Sequence, residues 1–288
     1  MRLRTFTALL AVTAVSLTLG RAEIIDGEVV KKGDPLAKFT VRIYSPEGIC
    51  TGTLVTRNIV MTAAHCMVDG NGRIFPHAED FTVVFNQFES EFLDLDAKTK
   101  ITASKAILDR GYLGADSRHT DQGYTLFVTK NHDVGLIRLE KDAPAEFTPI
   151  PIALRSEIDQ YSNTLLVAGY GRESDTKDAV SGRLKSAKVK LVSNGKRYSR
   201  IETTYGTGLT CSGDSGGPLL IVTPEGYKLA GVHNTGVKGC MTGPAAAARI
   251  VDYTDFLDQA MRRLGSNSEL LFTTKPTAKR PSSIWPSL

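Results

Sequence analysis

Short apolar, β-rich runs dominate the chain, FTVRIY, GTLVTRNIVMTA, DFTVVF, VGLIRL, TLLVAGYG, AKVKLV and KLAGVHNTG. Gly, Pro, Asn and Asp separate them. β-rich runs with such punctuation predict an all-β barrel or sandwich. One segment, Tyr253 to Leu264, has helical spacing instead. Its Phe256, Leu257, Ala260, Met261 and Leu264 fall on one face, and Asp252 is placed to cap its start. Residues 265–288 turn to Ser, Thr, Pro and Lys and read as a flexible tail, which holds the lone Trp285.

The first residues read as a secretory signal. Arg2 and Arg4 precede an apolar stretch from Leu9 to Leu19, and Gly20 and Ala22 are small residues of the kind a signal peptidase reads. That stretch is too short to span a bilayer, so no stable membrane insertion is expected. Residues 1–23 carry Arg2, Arg4, Arg21 and Glu23, and without them the formal charge falls from +4 to +2. A near-neutral chain with no basic stripe is a poor nucleic-acid partner. An exported chain favours disulfides, and Cys50, Cys66, Cys211 and Cys240 permit three pairings. No CxxC or His-rich spacing supports zinc. DGNG, Asp69 to Gly72, lacks the later acidic ligands of a calcium loop and reads as a turn. Neither a metal nor a cofactor is expected.

Three segments carry chemistry. TAAHC supplies His65, NHDVGLIRL supplies Asp133, and CSGDSGGPL supplies Ser215 between glycines. A serine hydroxyl is a weak nucleophile until a base takes its proton, and the base needs a carboxylate to set its tautomer. His65, Asp133 and Ser215 suit those roles, with the Gly213 and Ser215 N–H groups placed to stabilise an oxyanion.

With these motifs in His, Asp, Ser order, the chain resembles the trypsin-like, chymotrypsin-fold serine proteases over roughly residues 24–264. The resemblance implies two antiparallel six-stranded β-barrels with the active site between them and a C-terminal helix. Residues 1–23 would be the signal and activation segment, 24–143 the first barrel, and 144–264 the second barrel with the helix. It implies the disulfides Cys50–Cys66 and Cys211–Cys240, and a secreted monomer acting on protein or peptide substrates and open to protein protease inhibitors. It implies activation by cleavage: the new amino group of Ile24 pairs with Asp214, and an uncleaved chain is nearly inactive.

Pocket residues follow from the same resemblance. Leu209, six before Ser215, sits at the base of the primary pocket and disfavours Lys or Arg before the scissile bond. His233, Asn234, Thr235 and Gly236 form one wall, Thr210 and Ser212 the other, with Ala245 as the approximate match to a glycine that keeps the pocket deep. A histidine at 233 facing hydroxyl groups is similar to the glutamyl endopeptidases, because a carboxylate entering an apolar pocket needs partners. Glu23, directly before Ile24, is then a bond the mature enzyme would cut itself. Leu209 alone points to a small or medium apolar preference instead. A catalytically inactive binding protein is a third reading, disfavoured because every triad and activation residue is present. GDSGG also fits the GxSxG motif of α/β esterases, but a β-rich chain offers no alternating helices. Asn234 replaces the family's usual serine, and Thr235 its tryptophan. The 68 residues from His65 to Asp133 suggest enlarged surface loops.

Overall fold

The computed structural model describes residues 24–25, 27–31, 33–85, 99–112, 115–119, 125–129, 132–172, 183–195, 199–237, 240, 243–266 and 270–272. The expected signal, most of the tail and Trp285 lie outside the described residues.

Fifteen strands run through these residues. They are β1 (Glu28–Val29), β2 (Thr40–Ser45), β3 (Gly48–Leu54), β4 (Ile59–Thr62), β5 (Thr82–Val84), β6 (Lys100–Leu108), β7 (Ala115–His119), β8 (Thr125–Thr129) and β9 (Gly135–Leu139). After helix α1 (Arg155–Gln160) come β10 (Leu166–Gly169), β11 (Lys185–Ser193), β12 (Arg200–Tyr205), β13 (Pro218–Thr223), β14 (Gly226–Val237) and β15 (Ala245–Arg249), then helix α2 (Thr254–Leu264). Strands β2-β3-β4-β9-β6-β5 close one antiparallel barrel. Strands β13-β10-β11-β12-β15-β14 form a second, closed by the β13–β14 pairing. The fold class is all-β with two six-stranded barrels and one C-terminal helix.

The apolar runs bury most of their side chains in a barrel. In β2, Val41 and Ile43 are buried; in β4, Ile59, Val60 and Met61 are; in β9, Leu136, Ile137 and Leu139 are. Pairing decides the strands whose local pattern is weak. β15, AAAAR, lies between β12 and β14, bonded on both edges, so a run of good helix formers becomes a strand. The segment before the first barrel joins the second: Glu28 and Val29 of β1 pair with Ser186 and Lys185 of β11.

Helix α2 starts at Thr254, and Asp252 does not cap it. Its carboxylate binds Arg249 at 2.6 Å and also meets Arg155, because two guanidinium groups hold a carboxylate better than the helix's own N–H groups. Leu257, Ala260, Met261 and Leu264 pack into the core that holds the first barrel. Gly265, at φ 68, ends the helix in the left-handed conformation. Neither helix is long and apolar enough to cross a membrane.

Part of the long stretch before Asp133 is not loop. β7 and β8 form a hairpin, and β8 pairs with the end of β14 through Phe127↔Gly236 and Leu126↔Val237.

Candidate active site

His65 rides on a single 3-10 turn, Ala64–Met67, after β4, and Asp133 precedes β9, the strand paired with β4. This pairing brings together residues 68 apart in sequence. The Asp133 carboxylate is fully buried, and its two oxygens serve the same residue. Oδ1 accepts from the His65 backbone N–H and Oδ2 meets His65 Nδ1, each at 2.8 Å. Two anchors fix both the position and the ring orientation of the histidine.

Ser215 is held by the other barrel, in the turn before β13, but it is tied to the first. Its carbonyl accepts from Thr51 N–H on β3 at 2.8 Å. The next residue, Gly216, has φ 81, and a Cβ there would lie 2.0 Å from Thr62 Oγ1, so only glycine fits this approach. Gly216 N–H donates to the His233 carbonyl and His233 N–H to the Gly217 carbonyl, both at 2.8 Å, which zips the serine turn to β14. His65, Gly213 and Ser215 line one cleft of about 510 Å³. An imidazole aimed by a buried carboxylate at a cleft containing a serine hydroxyl is equipped for nucleophilic acyl transfer.

Both disulfides form, Cys50–Cys66 beside His65 and Cys211–Cys240 beside the serine turn. Asp69 Oδ1 accepts from Asn71 N–H and Arg73 N–H at 2.9 Å, so in DGNG the carboxylate serves its own turn.

The Asp214 carboxylate is buried and accepts from Gly171 N–H and Cys211 N–H at 2.8 Å. Burial pushes its pKa up to about 6, against those two donors and the charge of Lys185. Thr51 bridges the barrels again. Its hydroxyl donates to the Gly213 carbonyl at 2.8 Å and accepts from Tyr170 N–H at 3.0 Å. Thr51 was not legible from the sequence, since its hydroxyl matters only once two barrels meet.

The expected pocket residues divide into two groups. Thr210, Ser212, His233, Asn234, Thr235 and Gly236 line the cleft. Leu209 and Ala245 line a cavity of about 20 Å³, which Thr210 and His233 also border. Burial lowers the His233 pKa to about 4, with the neighbouring His65 acting the same way and Asp133 opposing. Among the described residues Asn234 makes no hydrogen bond to Asp133; its Oδ1 accepts from the Thr235 hydroxyl at 3.1 Å.

Residues 24–257 match the family model Trypsin. The chain belongs to the trypsin family. Mouse Kallikrein 1-related peptidase b11 is 26% identical over 240 residues, covering 75% of this chain and 81% of that protein. Serine protease SP24D of Anopheles gambiae is 26% identical over 256 residues, covering 84% of this chain and 82% of its own. The two barrels, the disulfides and the cleft of this chain agree with membership of this family of serine proteases.

Proposed function

We propose that this trypsin-family chain is a secreted serine endopeptidase that prefers Glu before the scissile bond and gains activity when Ile24 becomes a free amino terminus. Ser215 Oγ attacks the peptide carbonyl while His65 takes its proton; Asp133 holds the imidazole and stabilises its charged form. The Gly213 and Ser215 N–H groups bind the developing oxyanion. His65 then returns the proton to the leaving amine, and water releases the acyl group by the same path in reverse.

The observation that carries the Glu preference is the approach of two polar atoms to Gly236. A Cβ at Gly236 would stand 3.7 Å from Thr210 Oγ1 and 4.0 Å from His233 Nε2. A side chain entering beside this glycine therefore meets a hydroxyl and an imidazole. A carboxylate gains hydrogen bonds there and draws a proton onto His233, whose pKa burial and the neighbouring His65 lower. The second reading, a small or medium apolar residue, rests on Leu209, Val237 and Ala245 around a cavity of about 20 Å³.

Activation at Ile24 is supported by burial. Ile24 is 1% exposed among the apolar residues of the second barrel, so an amino group made there is delivered into the protein rather than to solvent. Asp214, a buried carboxylate with a raised pKa, is the group that gains from it.

The test is a chain beginning at Ile24, assayed on peptides differing only in the residue before the scissile bond, Glu, Asp, Ala, Leu, Phe or Lys. Glu ranked first, and demoted by His233→Ala, is the expected result. Preference for Ala, Leu or Phe sinks the Glu reading and favours the second. No hydrolysis and no reaction with a serine-phosphonylating reagent sinks the enzyme reading itself.

A further inference from the structure

Asp214 lies against β10. A Cβ at Gly169 would meet Asp214 Oδ1 at 2.2 Å, so the carboxylate occupies the space where a side chain of Gly169 would stand. Directly opposite residues of an antiparallel pair put their side chains on the same face. The partner of Gly169 on β11 is Lys185, whose other edge pairs with Val29 of β1. Lys185 is 1% exposed, so its cationic end stays inside the barrel on the face that holds the carboxylate.

We propose that Lys185 is a positioning residue that supplies Asp214 with a positive charge inside the uncleaved chain, so that the oxyanion loop is assembled and the single chain already hydrolyses substrate before Ile24 is freed. The inference rests on the serine protease reading above and departs from the nearly inactive precursor that family resemblance implies.

Three further features agree. The Lys185 charge opposes the effect of burial on the Asp214 carboxyl, the direction a stabilising cation gives. The loop is closed with the chain continuous through residue 24: Asp214 N–H donates to the Cys211 carbonyl at 3.0 Å, Gly213 adopts φ 102, and Thr51 holds its carbonyl. Ile24 is seated in the second-barrel core but held at φ 33, an unfavourable conformation for a β-branched residue. Cutting its peptide bond removes the preceding carbonyl that makes this conformation strained. Cleavage then adds to a site that already works.

The experiment compares two forms, a full chain carrying Glu23→Gln to block cleavage and the chain beginning at Ile24. Each is made with Lys185, Lys185→Met and Lys185→Arg. N-terminal sequencing verifies the forms, and kcat/KM on one peptide amide and the rate of serine phosphonylation are read. The single chain with Lys185 is expected to hydrolyse the amide measurably. Because removing one partner of a buried charge pair is costly, Lys185→Met should lower its kcat/KM by about 100-fold, and at least tenfold more than it lowers that of the cleaved form. Lys185→Arg should recover part of the loss.

Three results overturn the proposal. The single chain is inert while the cleaved chain works; or Lys185→Met lowers both forms equally, the mark of a purely structural lysine; or it lowers neither. Thermal melting of the cleaved Lys185→Met form separates misfolding from loss of function, and Lys185→Gln stands in if the Met variant does not melt cooperatively. An inert cleaved chain with Lys185 intact is a different failure, that of the protease reading, and this inference falls with it.

Discussion

The Thr51 side chain and the Gly213 carbonyl are joined by a 2.8 Å hydrogen bond that crosses from the first barrel to the second. With Tyr170 N–H donating to the same hydroxyl, one threonine orients both the Gly213–Asp214 peptide and the end of the strand beside it. Thr51→Val keeps the shape and deletes the bridge, leaving a buried carbonyl and a buried N–H unpaired. Such a loss costs about 1–3 kcal/mol. The expected outcome is a fall in kcat of about tenfold with KM little changed, since the bond acts on oxyanion geometry rather than on substrate side chains. Steady-state kinetics on a peptide amide checks it, and a rise in KM alone would contradict this assignment.

Asp133 accepts from both nitrogens that His65 offers it, backbone and ring. Asp133→Asn replaces one acceptor oxygen by a donor and favours the wrong imidazole tautomer. We expect kcat to fall by about 10⁴-fold near neutral pH with the fold intact, by analogy with the same change in the family's triad. Far-ultraviolet circular dichroism and kinetics on one sample distinguish this from unfolding.

His233 has a folded pKa of about 4, below its ordinary value of 6.5. A histidine with a depressed pKa contributes stability that is present above pH 6.5 and lost as the pH falls through about 4. Substrate binding has the opposite sign. A Glu side chain beside His233 must draw a proton from solvent, so KM for Glu peptides should rise as pH increases above neutrality while KM for Leu peptides stays flat. The His233→Ala variant should show no such difference. Parallel KM profiles for the two peptides in the unmodified chain would remove His233 from recognition.

Asp214 supplies the opposite pH signature. Its pKa, raised to about 6 from 3.8, means the uncleaved fold is helped below pH 4 and loses that help as pH rises through 6. Melting temperatures of the uncleaved chain measured from pH 4 to 7 should therefore decline, and Asp214→Asn should flatten the decline. An unchanged slope in the Asn variant would mean another group carries it.

β8 already occupies the edge of β14 at Gly236 and Val237, two residues that line the cleft. An extended substrate can pair with that edge only by displacing the hairpin. Replacing residues 113–131 with a short turn should raise kcat/KM on folded protein substrates several-fold, roughly the effect of about 1 kcal/mol, and leave a small ester unchanged. Equal change on both substrates would show that the hairpin acts on the catalytic groups instead.

Much of the first barrel was readable because its strands carry their own signal. FTVRIY and VGLIRL alternate or cluster β-branched residues between turn formers, and the buried positions in β2 and β9 fall within those runs. KITASKAIL, RIETTY and AAAAR carry no comparable pattern. They became β6, β12 and β15 because neighbouring strands satisfy their backbone groups on both sides, a tertiary gain that outweighs local propensity. Asp252 was misread as a cap for the same reason: its partners, Arg249 and Arg155, are made neighbours by the fold.

His65, Asp133 and Ser215 were visible because each lies in a short segment whose neighbours are themselves constrained, such as the glycines flanking Ser215. The sequence by itself determined the chemistry on offer, the strand-rich class and the four cysteines. Only the tertiary structure decided which groups face one another. Barrel closure set Lys185 on the Asp214 face, Thr51 on Gly213, and His233 with Thr210 beside Gly236. These relationships depend on register and on contact between chain segments far apart in sequence, and no local pattern encodes a distance between two strands until both have closed into barrels.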